Sequence, residues 1–273
     1  MIRFTTKGGP FERGQQQGTA CRDRALPWLR HLLKQLAASL GVASAEEAVQ
    51  RTCSGAQRWR ERIERACPEA IEACRGIASG LGIDEQLYFA ALYGHPLLGG
   101  PLQCTSCGLR DEQGHPIIAK TDDILASEVG MNVLETSIPS NGFRHVHFHF
   151  AGTIFTAAGM NDHGLAIAMT GIPGPRLEKD GMPDMFALWT ILPRCAEVSD
   201  ALRHIEAMEI NHCGFSLQIA DAQGNLALVE KTGTGMKVFP EQNGAALLHT
   251  NHILDPDLAE KNPQQTEPVL TNG

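Results

Sequence analysis

The chain has no apolar run of membrane-spanning length, and its opening Met-Ile-Arg-Phe-Thr-Thr-Lys-Gly-Gly lacks the apolar core of a signal peptide. It has no basic excess: the net charge is −8, which argues against a general binder of nucleic acid or of anionic membranes. There is no glycine loop of the kind that cradles phosphates, and no internal repeat. The eight cysteines (21, 53, 67, 74, 104, 107, 195 and 213) are too scattered for the disulfide framework of a small secreted domain. These absences make a reducing cytoplasm the expected compartment, without a nucleic-acid or membrane partner. They leave a homo-oligomer open.

What is present supports a sizeable core. The 273 residues are 42% hydrophobic, enough for one large domain or two small ones. Residues 1–103 hold 13 Lys/Arg against 10 Asp/Glu, and the remainder 10 against 21. A mildly basic first part could attract an acidic second part, although ordinary drift in composition explains the split equally well.

The spacing predicts helices from Phe11 to about Leu92. Leu26, Leu29, Leu32, Leu33, Leu36 and Leu40 recur at three- and four-residue steps, with Gly41 as a stop. Ser44 with Glu47 has the form of a capping box, Pro68 suits a first turn, Gly80 and Gly82 end that helix, and Asp84 caps the next. A connector at 94–101 then leads to Cys104. Beyond it the texture turns to strands, at 104–110, 115–121, 143–150, 153–159 and 164–170. Two helices follow within 183–207, with Pro193 between them and Ser199 capping the second. Further strands are expected near 214–220, 225–230, 236–239 and 246–250. Asp111–Gly114 and Asp221–Gly224 read as hairpin turns. This order suggests an α+β sandwich.

Cys104 opens a strand, and the returning strand carries Lys120 and Asp123. If the chain were cleaved before it, Cys104 would be a nucleophile with its own base, an α-amine of pKa about 7.7–8.0. A cation beside it would favour the thiolate, and a carboxylate could orient an ammonium. Taken alone, Lys120 and Asp123 would be solvated charges on a strand edge. Cys104 and Cys107 could suggest zinc or redox chemistry, but positions i and i+3 of a strand face opposite sides, and Cys107 is read as an inert core residue. His145, His147 and His149 alternate with Val146, Phe148 and Phe150. Metal binding is weighed there against the polar face of an amphipathic strand, and the latter is preferred because no carboxylate or cysteine nearby obviously completes a site. Residues 159–166 form a turn that needs no functional explanation. In His249-Thr250-Asn251-His252 the asparagine could donate to a developing oxyanion, while the histidines could equally be loop residues.

Five stretches, in order, carry a resemblance. They are Gly-Gly-Pro-Phe-Glu-Arg-Gly-Gln-Gln-Gln-Gly at 8–18, Cys-Thr-Ser at 104–106, Gly-Met-Asn-Asp-His-Gly-Leu-Ala at 159–166, the segment 214–230, and His-Thr-Asn-His at 249–252. Together they resemble the acyl-coenzyme A:6-aminopenicillanate acyltransferase-like family, related to choloylglycine hydrolases among the N-terminal nucleophile hydrolases. The resemblance implies a four-layer αββα sandwich in one domain over 1–273. Self-cleavage between Gln103 and Cys104 would free a helical small subunit, 1–103, from a nucleophile-bearing part, 104–273. It also implies chemistry on a non-peptide amide or a thioester, with a small-molecule acyl substrate and no cofactor. Cys104 matches the nucleophile, Asp123 the carboxylate that holds its amine, Lys120 the place of an arginine, and Asn251 the asparagine serving the oxyanion. Three departures are visible. Gln103 stands where glycine is common, Gly171 stands where choloylglycine hydrolases carry a second asparagine, and the usual later Ser-x-x-Arg segment does not follow, so that either the chain is truncated at Gly273 or a site arginine and part of a sheet are missing. The alternative is a non-catalytic binding or assembly protein in which Cys104 is never freed.

Overall fold

The computed structural model describes residues 1–94, 103–172, 179–211, 214–242 and 244–262, and only the backbone of Gln103. In chain order the elements are β1 (Ile2–Gly8), α1 (Pro10–Ser39), α2 (Ala45–Ala66), α3 (Pro68–Leu81), α4 (Glu85–Gly94), β2 (Gln103–Arg110), β3 (Pro116–Asp123), β4 (Asn132–Pro139), β5 (His145–Phe150), β6 (Ala158–Asn161) and β7 (Ala166–Ile172). Then come α5 (Asp184–Trp189), α6 (Val198–Ala207), β8 (Gly214–Ala220), β9 (Leu226–Thr232), β10 (Gly235–Pro240), β11 (Leu247–His249) and α7 (Pro256–Glu260). The fold is α+β, as expected. Two units are distinguishable: unit 1 comprises Met1–Gly100, Leu125–Asn141 and Phe148–Ile154, and unit 2 comprises Pro101–Ile124, Gly142–His147 and Phe155–Gly273. Among the described residues no helix is long and apolar enough to cross a membrane.

In unit 1 the leucine stripe does what its spacing predicts. Leu29, Leu32, Leu33 and Leu36 of α1 are buried. The Ser44 hydroxyl accepts the Glu47 N–H at 3.2 Å, Pro68 opens α3, and Gly82 closes it in the left-handed conformation. Helices α1 and α3 approach so closely that backbone replaces side chain at the contact: a Cβ on Gly14 would stand 2.1 Å from Ala73 O, and one on Gly76 2.1 Å from Phe11 O. Strand β1 pairs in parallel with β4. Neither strand is signalled by hydrophobic alternation, because the inward positions include Thr6, Glu135 and Ser137. Their polar groups are matched internally: Thr6 donates to Glu135, His149 Nε2 meets Glu135 Oε2 at 3.1 Å, and Arg13 donates to Ser137 Oγ at 2.7 Å.

Unit 2 holds the strands around Cys104. β6, β7, β8, β9 and β10 neighbour one another in that order, antiparallel throughout, and β11, β2 and β3 form a three-stranded antiparallel sheet. This smaller sheet packs on β7 and β8. Gln218 of β8 reaches across to donate to Leu247 O at 3.0 Å, so Ser216 and Gln218 face the smaller sheet. Phe215, Leu217 and Ile219, all buried, face the other way, where α6 lies against β8 and β9. The turns follow their chemistry: Asp111 Oδ1 accepts from Gln113 and His115, Asp221 Oδ1 accepts from Gln223 and Asn225, and Asn161 caps its own hairpin.

The histidine strand reverses expectation. His145, His147 and His149 are buried, while Val146 and Phe148 are exposed. The histidine face is buried because each ring has a partner: His145 Nδ1 at Phe143 O, His147 Nδ1 at Thr156 Oγ1, and His149 at Glu135. Cys107 is half-buried on the outer side of its strand rather than in the core. β6 starts at Ala158, later than the strand expected from 153, and the second of the paired helices is capped at Glu197, not Ser199. The connector beyond Gly94 and the segment beyond Asn262 lie outside the described residues.

The α1–α3 approach sets a stability test. Gly76→Ala adds a methyl where backbone already stands, and it should lower unfolding free energy by about 2 kcal/mol or more in urea titration. An exposed helix position would instead gain up to about 1 kcal/mol from the same change.

Candidate active site

The β2–β3 register decides which residues meet Cys104. Cys104 lies opposite Asp122, Ser106 opposite Lys120, and Gln103 opposite Asp123. Directly opposed residues share a face, so Cys104, Ser106, Lys120 and Asp122 point together and Asp123 points away. The Cys104 thiol donates to Asp122 Oδ1 at 3.3 Å, and Lys120 Nζ lies 2.7 Å from the same oxygen. Lys120 is half-buried with its Nζ out of contact with solvent, and it has that ion pair but no aligned hydrogen bond among the described residues. Asp123 is exposed, and no hydrogen bond joins it to this group among the described residues. The carboxylate that touches the cysteine is therefore the neighbour of the one expected from spacing.

Asn251 is also at the cysteine. Its Oδ1 accepts the Cys104 backbone N–H at 2.6 Å, and its Nδ2 donates to Gly171 O at 2.7 Å. Gly171 lies near the end of β7, past the β6–β7 register, which stops at Ala168. Its carbonyl and N–H are thus free of that ladder, and the backbone of Gly171 pulls the Cys104 thiol's pKa down. Gly171 thus contributes backbone rather than a side chain at this position.

Asn251 is held from behind by a network that sequence reading left unassigned. His249, buried at the end of β11, meets Glu230 Oε1 through Nε2 at 2.7 Å and Thr250 O through Nδ1 at 2.6 Å. Thr170 donates to Thr250 O at 2.7 Å and pairs with Ser216 at 2.6 Å. Glu230, fully buried, also accepts the N–H groups of Leu254 and Asp255. The chain on both sides of Asn251 is fixed to one carboxylate. The available signal was Glu230 itself, an acid in an otherwise apolar strand run. Beside this network Ser106 is buried, its hydroxyl unpartnered among the described residues.

These surroundings hold the Cys104 thiol above its ordinary pKa. Burial raises it most, the Lys120 ammonium pulls it down, Asp122 raises it again by charge and as acceptor, and the Gly171 N–H pulls it down. The cation's effect has the expected sign and is outweighed. In the uncleaved chain the sulfur is a protonated, hydrogen-bonded thiol.

Residues 109–270 match the model of the family described as acyl-coenzyme A:6-aminopenicillanic acid acyl-transferase, which takes in Lys120, Asp122, Gly171 and Asn251 and begins just after Cys104. Solved structures similar to the chain include a mutant of conjugated bile acid hydrolase from Clostridium perfringens, at 17% identity and TM-score 0.42 over 59% of this chain and 57% of that one. Another is an N-acylethanolamine-hydrolyzing acid amidase ortholog from Caenorhabditis elegans, at 13% and 0.44 over 59% of this chain and 75% of that one. Penicillin V acylase from Agrobacterium tumefaciens matches at 19% and 0.37, over 54% and 50%. The match thus spans little more than half the length of the bile acid hydrolase. No curated protein matches the chain.

His249→Leu removes the ring's contacts with Glu230, the Thr250 carbonyl and Thr170, and leaves Glu230 with backbone partners alone. It should cost about 3–5 kcal/mol, read as a lower urea midpoint. A loss below about 1 kcal/mol would show that the turn is held by something else.

Proposed function

Since the chain belongs to the acyl-coenzyme A:6-aminopenicillanic acid acyl-transferase family, we propose that it is an autoprocessing N-terminal cysteine amidohydrolase or acyltransferase. It would act on a small-molecule acyl amide, at a non-peptide C–N bond, or on an acyl thioester. The observation that carries this reading is the contact of Asn251 Oδ1 with the Cys104 N–H, 2.6 Å long. The group held there is the one that chain cleavage turns into a free amine, beside a sulfur that already touches a carboxylate and a backbone donor.

After cleavage between Gln103 and Cys104, the new amine takes the thiol proton and the sulfur attacks the substrate carbonyl. The Gly171 N–H, and Asn251 Nδ2 once it leaves the Gly171 carbonyl, stabilise the tetrahedral oxyanion. The intermediate collapses by breaking the C–N bond, the leaving amine carries off the proton, and an acyl thioester stays on Cys104. Water or a second amine resolves it and returns the thiol. Asp123, opposite Gln103 in register and on the other face of the strand, would hold the freed ammonium once cleavage releases the Cys104 end, the role that the resemblance assigns to it. Lys120 balances the charge of Asp122. This chemistry calls on no cofactor.

A second reading, a binding or assembly protein with Cys104 never freed, is favoured by one observation: Asn251 Nδ2 is already occupied by the Gly171 carbonyl.

Panels of N-acyl amides and acyl thioesters, quenched in acid and analysed by mass spectrometry, separate the two. The enzyme reading expects an acyl adduct on the Cys104 peptide, absent in Cys104→Ala. It also expects turnover about 10²–10³-fold lower in Asn251→Ala. Undiminished turnover in Cys104→Ala would overturn it.

A further inference from the structure

The mature nucleophile has an α-amine as base, but the uncleaved chain has none, because that nitrogen is still the Gln103–Cys104 amide. Some other group must take the thiol proton in the first event, the cleavage itself. Around Cys104 Sγ the choices are few. Lys120 presents an ammonium with no lone pair, the Gly171 N–H is a donor only, and Asn251 Oδ1 is occupied by the Cys104 N–H. Asp122 Oδ1, accepting from the thiol at 3.3 Å, is the one proton acceptor in contact with the sulfur among the described residues.

Resting on the autoprocessing reading above, we propose that Asp122 is the general base of chain cleavage, with Lys120 as the positioning residue that holds its carboxylate. The Cys104 S–H proton passes to Asp122 while the sulfur forms a bond to the Gln103 carbonyl carbon. Asp122 then returns the proton to the Cys104 nitrogen as the C–N bond breaks. The product is a Gln103 thioester on Cys104 Sγ beside a free amine, whose hydrogen bond to Asn251 Oδ1 is already in place. Water cleaves that thioester, giving the Gln103 carboxylate and the free thiol. Nothing is oxidised or reduced. The two adjacent carboxylates thereby divide the labour: Asp122 acts before the amine exists, and Asp123 acts only afterwards.

Asp122 has opposite effects on two measurable rates, which separates a base from a merely nearby charge. Removing the charge and the acceptor lowers the thiol's pKa, since both raise it now. Asp122→Asn should therefore speed iodoacetamide labelling of Cys104 at neutral pH in the uncleaved chain. A simple electrostatic role would then speed cleavage too. A base predicts the reverse, slowing of at least about a hundredfold.

The experiment follows cleavage of the full chain by intact mass over time, with Cys104 labelling read by peptide mass, in wild type, Asp122→Asn, Asp122→Glu and Asp123→Asn. The proposal expects Asp122→Asn to label faster yet cleave at least a hundredfold more slowly. Asp122→Glu should recover most of the rate, which shows that the carboxylate and not the fold was lost. Asp123→Asn should slow cleavage far less. Wild-type cleavage kept in Asp122→Asn, or stalled only in Asp123→Asn, overturns the proposal and leaves the autoprocessing reading standing. A wild-type chain that never cleaves overturns both.

Discussion

The contact between Glu230 and His249 is the constraint on which the arrangement at Cys104 depends. Both side chains are fully buried, so neither polar group can turn to water without unfolding the turn around it. Glu230 gathers the His249 ring and two backbone N–H groups from beyond Asn251 onto one carboxylate. The ring's other nitrogen holds the Thr250 carbonyl, which Thr170 holds as well. Asn251 therefore leaves a strand end whose path is fixed on both sides, and its amide lies where Cys104 and Gly171 can use both of its ends. Preorganisation of this kind is what a donor or acceptor needs if it is to act without reorganising during the reaction.

The surroundings of Cys104 hold its thiol above the ordinary pKa in the intact chain. Burial and a facing carboxylate outweigh a lysine and a backbone N–H, and the sulfur stays protonated. A cysteine that ionised freely at this stage would be open to oxidation and alkylation before the site was complete. In the proposed autoprocessing, cleavage would change the balance by adding a base at the nitrogen that Asn251 already holds. Raising the thiol's pKa and activating it through its own amine are then successive states of one design, not competing features.

Much of this was legible in the residues. The leucine spacing of α1, the Ser44, Pro68 and Gly82 signals, and the Asp111, Asn161 and Asp221 turns all rest on local chemistry, and local chemistry survives into the fold. What was lost depended on distant partners. Strands β1 and β4 bury Thr6, Glu135 and Ser137, whose polarity hides their inward face from any hydrophobic count. The histidines of β5 were placed on the wet side for the same reason. At the site, strand and motif arguments singled out Cys104, Lys120 and Asn251, which the structure brings into one cluster. The choice between Asp122 and Asp123 turned on a one-residue register that no local signal specifies. Gly171 and the Glu230–His249 pair needed the two sheets to be brought together before their roles could be seen.

The most direct test of the central claim is N-terminal sequencing of the purified protein. If Cys104 becomes its own base, two sequences should run in parallel, one from the start of the chain and one beginning Cys-Thr-Ser-Cys. The second should vanish in Cys104→Ala. A single sequence from the start of the chain, in protein that still turns over acyl amides, would contradict the account, because the amine on which it relies would never have formed.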